Sequence, residues 1–141
     1  MDCLTTARHR VAVATDLAGI LDAAYDAFED MLAVLRRHQE DDGAAFAAFV
    51  LAAAAAGNGR DWIAAAEALP SAAPRDPIGD LSDDTTVVDV ARAVAELSNE
   101  LADQLTAVAA STLSAGDRQH CQSAAVEAVT ITTLLGGASS P

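Results

Sequence analysis

Asp22, Asp26, Glu29 and Asp30 follow one another at spacings of three, four and seven or eight residues. On an α-helix those spacings set side chains on one side. Four carboxylates in that arrangement repel one another, and few basic residues stand at helix spacing to relieve them. Such a stripe has the chemistry to hold a divalent cation or to dock a basic partner. The plainer alternative is a solvated helix face.

A second constellation is Asp117-x-x-His120, with Glu127 two turns beyond. Di-iron bundles of the ferritin type need Glu-x-x-His on two helices. This chain offers one such spacing, with Asp in place of Glu, and Leu35 stands three residues before His38. A di-iron centre is therefore not expected. A single zinc or a His120–Glu127 hydrogen bond are the lesser alternatives, beside an exposed histidine in a first helical turn. The candidate catalytic residues are Asp22, Asp26, Glu29 and His120, with no metal and no cofactor expected. Cys121 follows His120, but adjacent helix residues point about 100° apart and do not form a nucleophile–base pair. At the start of a helix its thiol pKa would be lowered by the dipole; the alternative is a small apolar filler.

Composition removes several function classes. The chain has 141 residues and a formal charge of −13, with 8 basic against 21 acidic residues. A nucleic-acid binder needs a cationic face, so none is expected. All the basic residues are arginine. Schiff-base catalysis, a pyridoxal phosphate anchor and a P-loop lysine are thereby excluded. CxxC, HExxH, GxSxG and a glycine-rich phosphate loop are absent from the sequence. The Ala, Arg and Asp bias without lysine suits a GC-rich bacterial genome. Asp16 interrupts the first apolar stretch, and Phe46 to Ala56 is too short to span a bilayer. The expectation is a cytoplasmic protein with reduced Cys3 and Cys121, without a membrane partner.

The elements that position these residues read as helices. Val87, Val90, Val94, Leu97, Leu101, Leu105 and Val108 alternate in steps of three and four, one buried stripe on a helix over 85–114. A first helix is expected over 5–39, burying Leu17, Ile20, Leu21, Ala24, Phe28, Met31, Leu32 and Leu35, with the acids and Arg37 outside. Arg36, Arg37 and His38 suit its C-terminal end. Phe46, Phe49 and Val50 make the apolar patch of a second helix over 44–56, which Gly57-Asn58-Gly59 should stop. A short helix over 61–69 would face Trp62, Ile63, Ala66 and Leu69 inward. Residues 70–83 read as a surface connection, pinned by Ile78 and Leu81, with Asp83 or Asp84 capping the helix that follows. A last helix over 117–135 shares Cys121, Ala124, Ala128, Ile131 and Leu135 on one face and ends at Gly136-Gly137.

The expected fold is therefore all-α: one helical domain over 1–137, four-helix-bundle-like, with two long and two shorter helices plus one short extra helix, and a disordered tail over 138–141. The helix over 5–39 would be about 50 Å long and that over 85–114 about 45 Å, against about 20 and 30 Å for the other two. Short helices do not cover long stripes, so either a long helix breaks or a second copy covers the excess. A homodimer follows as an expectation, with a basic or apolar protein partner as the other. The functional expectation is a small acidic interaction or accessory module. Its alternative is a small enzyme or ligand-binding bundle. There the Ala-rich faces opposite Phe28, Phe46, Phe49 and Trp62 enclose an apolar pocket rimmed by Asp22, Asp26, Glu29 or His120.

Overall fold

A computed structural model describes residues 2–70, 85–111 and 114–138. Five helices make up the described fold, and no strand occurs among the described residues: α1 Cys3–Val13, α2 Leu17–His38, α3 Phe46–Ala64, α4 Val87–Ser111 and α5 Ala115–Ala138.

The expected helix over 5–39 is two helices. Ala14 and Asp16 both adopt extended backbone, and Asp16 caps α2 by accepting a hydrogen bond from the Gly19 N–H at 2.9 Å. Asp2 does the same for α1, accepting from Thr5 N–H at 2.8 Å. A carboxylate at such a position satisfies backbone donors that the first turn leaves open. Arg36, Arg37 and His38 occupy the last turn of α2, where the dipole favours cations.

The expected stop at Gly57-Asn58-Gly59 does not occur. One helix runs through it, and the separate short helix over 61–69 is absent. No glycine among the described residues has a positive φ. Gly59 serves packing instead: a Cβ there would stand 2.4 Å from Phe28 Cε1, so only a bare α-carbon lets α3 close onto the buried ring. Gly136 and Gly137 likewise lie inside α5, which ends at Ala138 rather than before it. Ala138 is thus helical, and the rest of the expected tail lies outside the described residues.

α4 begins at a reciprocal cap. The Thr86 hydroxyl accepts from Asp89 N–H at 3.1 Å while the Asp89 carboxylate accepts from Thr86 N–H at 3.4 Å. Asp83, Asp84, Ile78 and Leu81 lie outside the described residues. The α4 stripe is covered throughout: Val90, Val94, Leu97, Leu101, Leu105 and Val108 are buried and Val87 half-buried. Ser114 caps α5 through its hydroxyl, which accepts from Asp117 N–H at 3.2 Å.

Packing runs from α2 to α3, α3 to α5, α5 to α4 and α4 back to α2, with α1 laid against α2 and α4. α4 and α5 are antiparallel, joined by a short connection and tied by the Ser98 and Thr132 hydroxyls at 2.7 Å. Their expected inner residues Cys121, Ala124, Ala128, Ile131 and Leu135 are all buried. The break at 14–16 and the fused α3 leave α2 to α5 at 22, 19, 25 and 24 residues, or about 29 to 37 Å each. The mismatch in length that argued for a second copy is gone. None of the helices is long and apolar enough to cross a membrane, among the described residues.

Candidate functional site

The acidic stripe is not a solvated face. Asp22 is exposed and Glu29 half-buried, but Asp26 and Asp30 are each only 8% exposed. Buried carboxylates need compensation, and arginines from flanking helices supply it to Asp26 and Glu29. Arg10 of α1 donates Nη1 to Asp26 and Nη2 to Asp22 Oδ2, the latter at 3.3 Å. Arg60 of α3 donates Nη1 to Glu29 Oε1 at 3.3 Å and also holds Asp61. The stripe therefore pins α1 and α3 onto α2. Among the described residues no group of three or more His, Cys, Asp or Glu side chains is placed to hold a metal ion.

His120 stands apart. It lies on α5, which packs on α3 and α4. The structure brings Asp22 and Asp26 together through Arg10 and sets Glu29 on a second arginine, but it does not bring His120 to them. The His120 ring packs on Trp62 with centroids 5.9 Å apart, and its Nδ1 is buried without a hydrogen-bond partner. No bond from that nitrogen reaches Glu127. Asp117 is 4% exposed, and its Oδ1 accepts the Glu67 N–H at 2.8 Å. It fastens the turn after α3 to the start of α5 rather than pairing with His120.

The thiols point away from nucleophilic chemistry. Both cysteines are buried and free. Burial, and then the charge of Asp30, pushes the Cys3 thiol up to about 11. Cys121 is raised by burial and then by Asp117, the reverse of the lowering expected from its place near a helix start. Burial also raises the Glu127 carboxyl.

The aromatic residues expected around an apolar pocket are divided between core and surface. Phe28 and Phe49 are fully buried in packed core, while Phe46 is 43% and Trp62 38% exposed. An open cleft of about 600 Å³ lies elsewhere, between the α1–α2 corner (Ala14, Thr15, Leu17, Ile20), the last turns of α4 and Asp117. None of Asp22, Asp26, Glu29 and His120 lines it.

No family model, curated protein or solved structure matches this chain. The function must be read from its own surface.

That surface is divided. α2 and α4 carry charge along their outer faces, including Asp22, Arg36, Asp89, Arg92 and Glu96. Residues 46–59 of α3 hold no charged side chain, and 119–138 of α5 hold only the half-buried Glu127. Of the eight exposed large hydrophobic residues among those described, six lie on these two helices: Phe46, Val50, Leu51, Trp62, Val126 and Val129. A helix apolar on every side is ordinarily buried on every side; α3 is not. The apolar patch of Phe46, Phe49 and Val50 is split, with only Phe49 buried, and Trp62, expected inward, is exposed; an all-apolar helix gives no periodic signal for which face turns inward.

Proposed function

We propose that this chain is a protein-interaction module, a four-helix-bundle-like body of α2, α3, α5 and α4 braced by α1, which binds through the outer face of α3. The observation that carries the reading is an exposed apolar stripe, Phe46, Val50 and Leu51, on a helix without charge along its first three turns. Exposed contiguous apolar surface marks an interaction site more often than a scattered single residue does. An enzymatic reading has less support, because Asp26 and Glu29 are engaged by arginines and both thiols are held protonated.

The test is a double substitution, Phe46→Glu with Leu51→Glu, assayed with an apolar fluorescent dye of the bis-anilinonaphthalene sulfonate type. The wild-type chain binds the dye and the variant loses most of that binding. Helical circular dichroism is kept and stability changes by no more than about 0.5 kcal/mol, as for surface positions. Undiminished dye binding, or unfolding of the variant, contradicts the reading.

A further inference from the structure

We infer that the occupant of the α3 face is a second copy of this chain, seated antiparallel across a two-fold axis near residue 52; the inference rests on the docking role proposed above. The first argument is charge. A chain at −13 repels its own copy over most of its surface. The outer face of α3 from Phe46 to Asn58 holds no carboxylate, so two copies meeting there set acids near one another only at the ends of the stripe. Within residues 46–58 the same face offers a basic partner nothing to pair with; the nearest exposed acids, Asp41, Asp42 and Asp61, lie beyond its two ends.

The second argument is shape. Exposed bulk lies in the first half of the stripe, at Phe46, Val50 and Leu51. The second half is small, with Ala54 and Asn58 exposed and Gly57 half-exposed. An antiparallel pair sets the large half of each helix on the small half of the other, Val50 against Ala54 and Phe46 against Gly57 and Asn58. A two-fold contact requires such self-complementarity, because each patch must fit itself reversed. A Cβ at Gly57 would meet nothing within 4 Å in the single chain, so there is room for a neighbouring side chain. Small residues at the crossing let two helix axes approach to about 8 Å.

Sedimentation equilibrium of the wild-type chain, Val50→Glu and Ala54→Glu tests this. The wild type is expected at twice the chain mass at micromolar concentration. Each variant, with its helical spectrum intact, is expected to raise the dimer dissociation constant at least about a hundredfold. A second measurement reads the direction. Val50→Cys mixed with Ala54→Cys should form the mixed disulfide in preference to either homodisulfide, and buried Cys3 and Cys121 do not compete. A wild-type chain at single mass throughout, a variant that still dimerises, or preferred homodisulfides overturns the inference. If the chain is monomeric while the Phe46→Glu, Leu51→Glu pair still abolishes dye binding, self-association fails and the docking role stands. If dye binding is also unchanged, both fail.

Discussion

Gly57 and Gly59 are two residues apart on one helix and have opposite roles. At Gly59 an added methyl group would meet the Phe28 ring at 2.4 Å, and that ring is fully buried. Gly59→Ala should cost about 1–3 kcal/mol of stability, the scale of core overpacking. That outweighs the gain in helix propensity. Gly57→Ala meets no neighbour within its own chain and should stabilise the monomer by about 0.5–1 kcal/mol through propensity alone. Urea denaturation of the two variants checks this pair, and equal effects would contradict the role assigned to Gly59. The sequence showed both glycines but not their partners, and so they read as one helix stop. Arg10 and Arg60 were unreadable for the same reason: their carboxylates lie 16 and 31 residues away. The caps at Asp16 and Thr86 each need only residues three positions apart, yet the α4 cap reads in the sequence as Asp83 or Asp84. Asp16 likewise reads, in sequence alone, as an interruption of an apolar run.

At the scale of elements, periodicity worked wherever a helix has two different faces. The α4 stripe and the inner face of α5 are legible residue by residue and are buried as expected, except that Val87 at the start of α4 is half-buried. α3 has apolar residues all round, so its inward and outward sides could not be told apart before its neighbours were known. The α5 edge carries the one charge in its long uncharged run, and this gives a pH test. Burial raises the folded-state pKa of Glu127. For a carboxyl with a raised pKa, the fold favours the neutral form. The associated stability is present below the unfolded-state pKa and is lost as pH rises through the folded-state value. Near neutrality the ionised Glu127 therefore costs stability. Glu127→Gln should melt at a higher temperature than the wild type at about pH 7, and the advantage should fade toward about pH 4, where both side chains are neutral. Equal melting temperatures at both pH values would count against it.

For the whole molecule, the all-helical class and the order of the main helices were legible from composition and period. The homodimer was first suggested by unmatched helix lengths, and that argument ended when the first helix broke at residues 14–16 and the second ran on to Ala64. What now supports association is a different surface, the uncharged outer side of α3 on a chain of formal charge −13. The charges that spare this face also determine how salt acts on it. Asp41, Asp42 and Asp61 are exposed near the two ends of the stripe, and in an antiparallel pair they approach one another. Screening weakens that repulsion, since the Debye length falls from about 10 Å at 0.1 M salt to about 3 Å at 1 M. The most direct measurement is the dimer dissociation constant of the wild-type chain by sedimentation at low and at high salt. Association through the α3 face predicts a tighter dimer as salt rises. A chain that remains monomeric at both concentrations, or a dimer that loosens on adding salt, contradicts it.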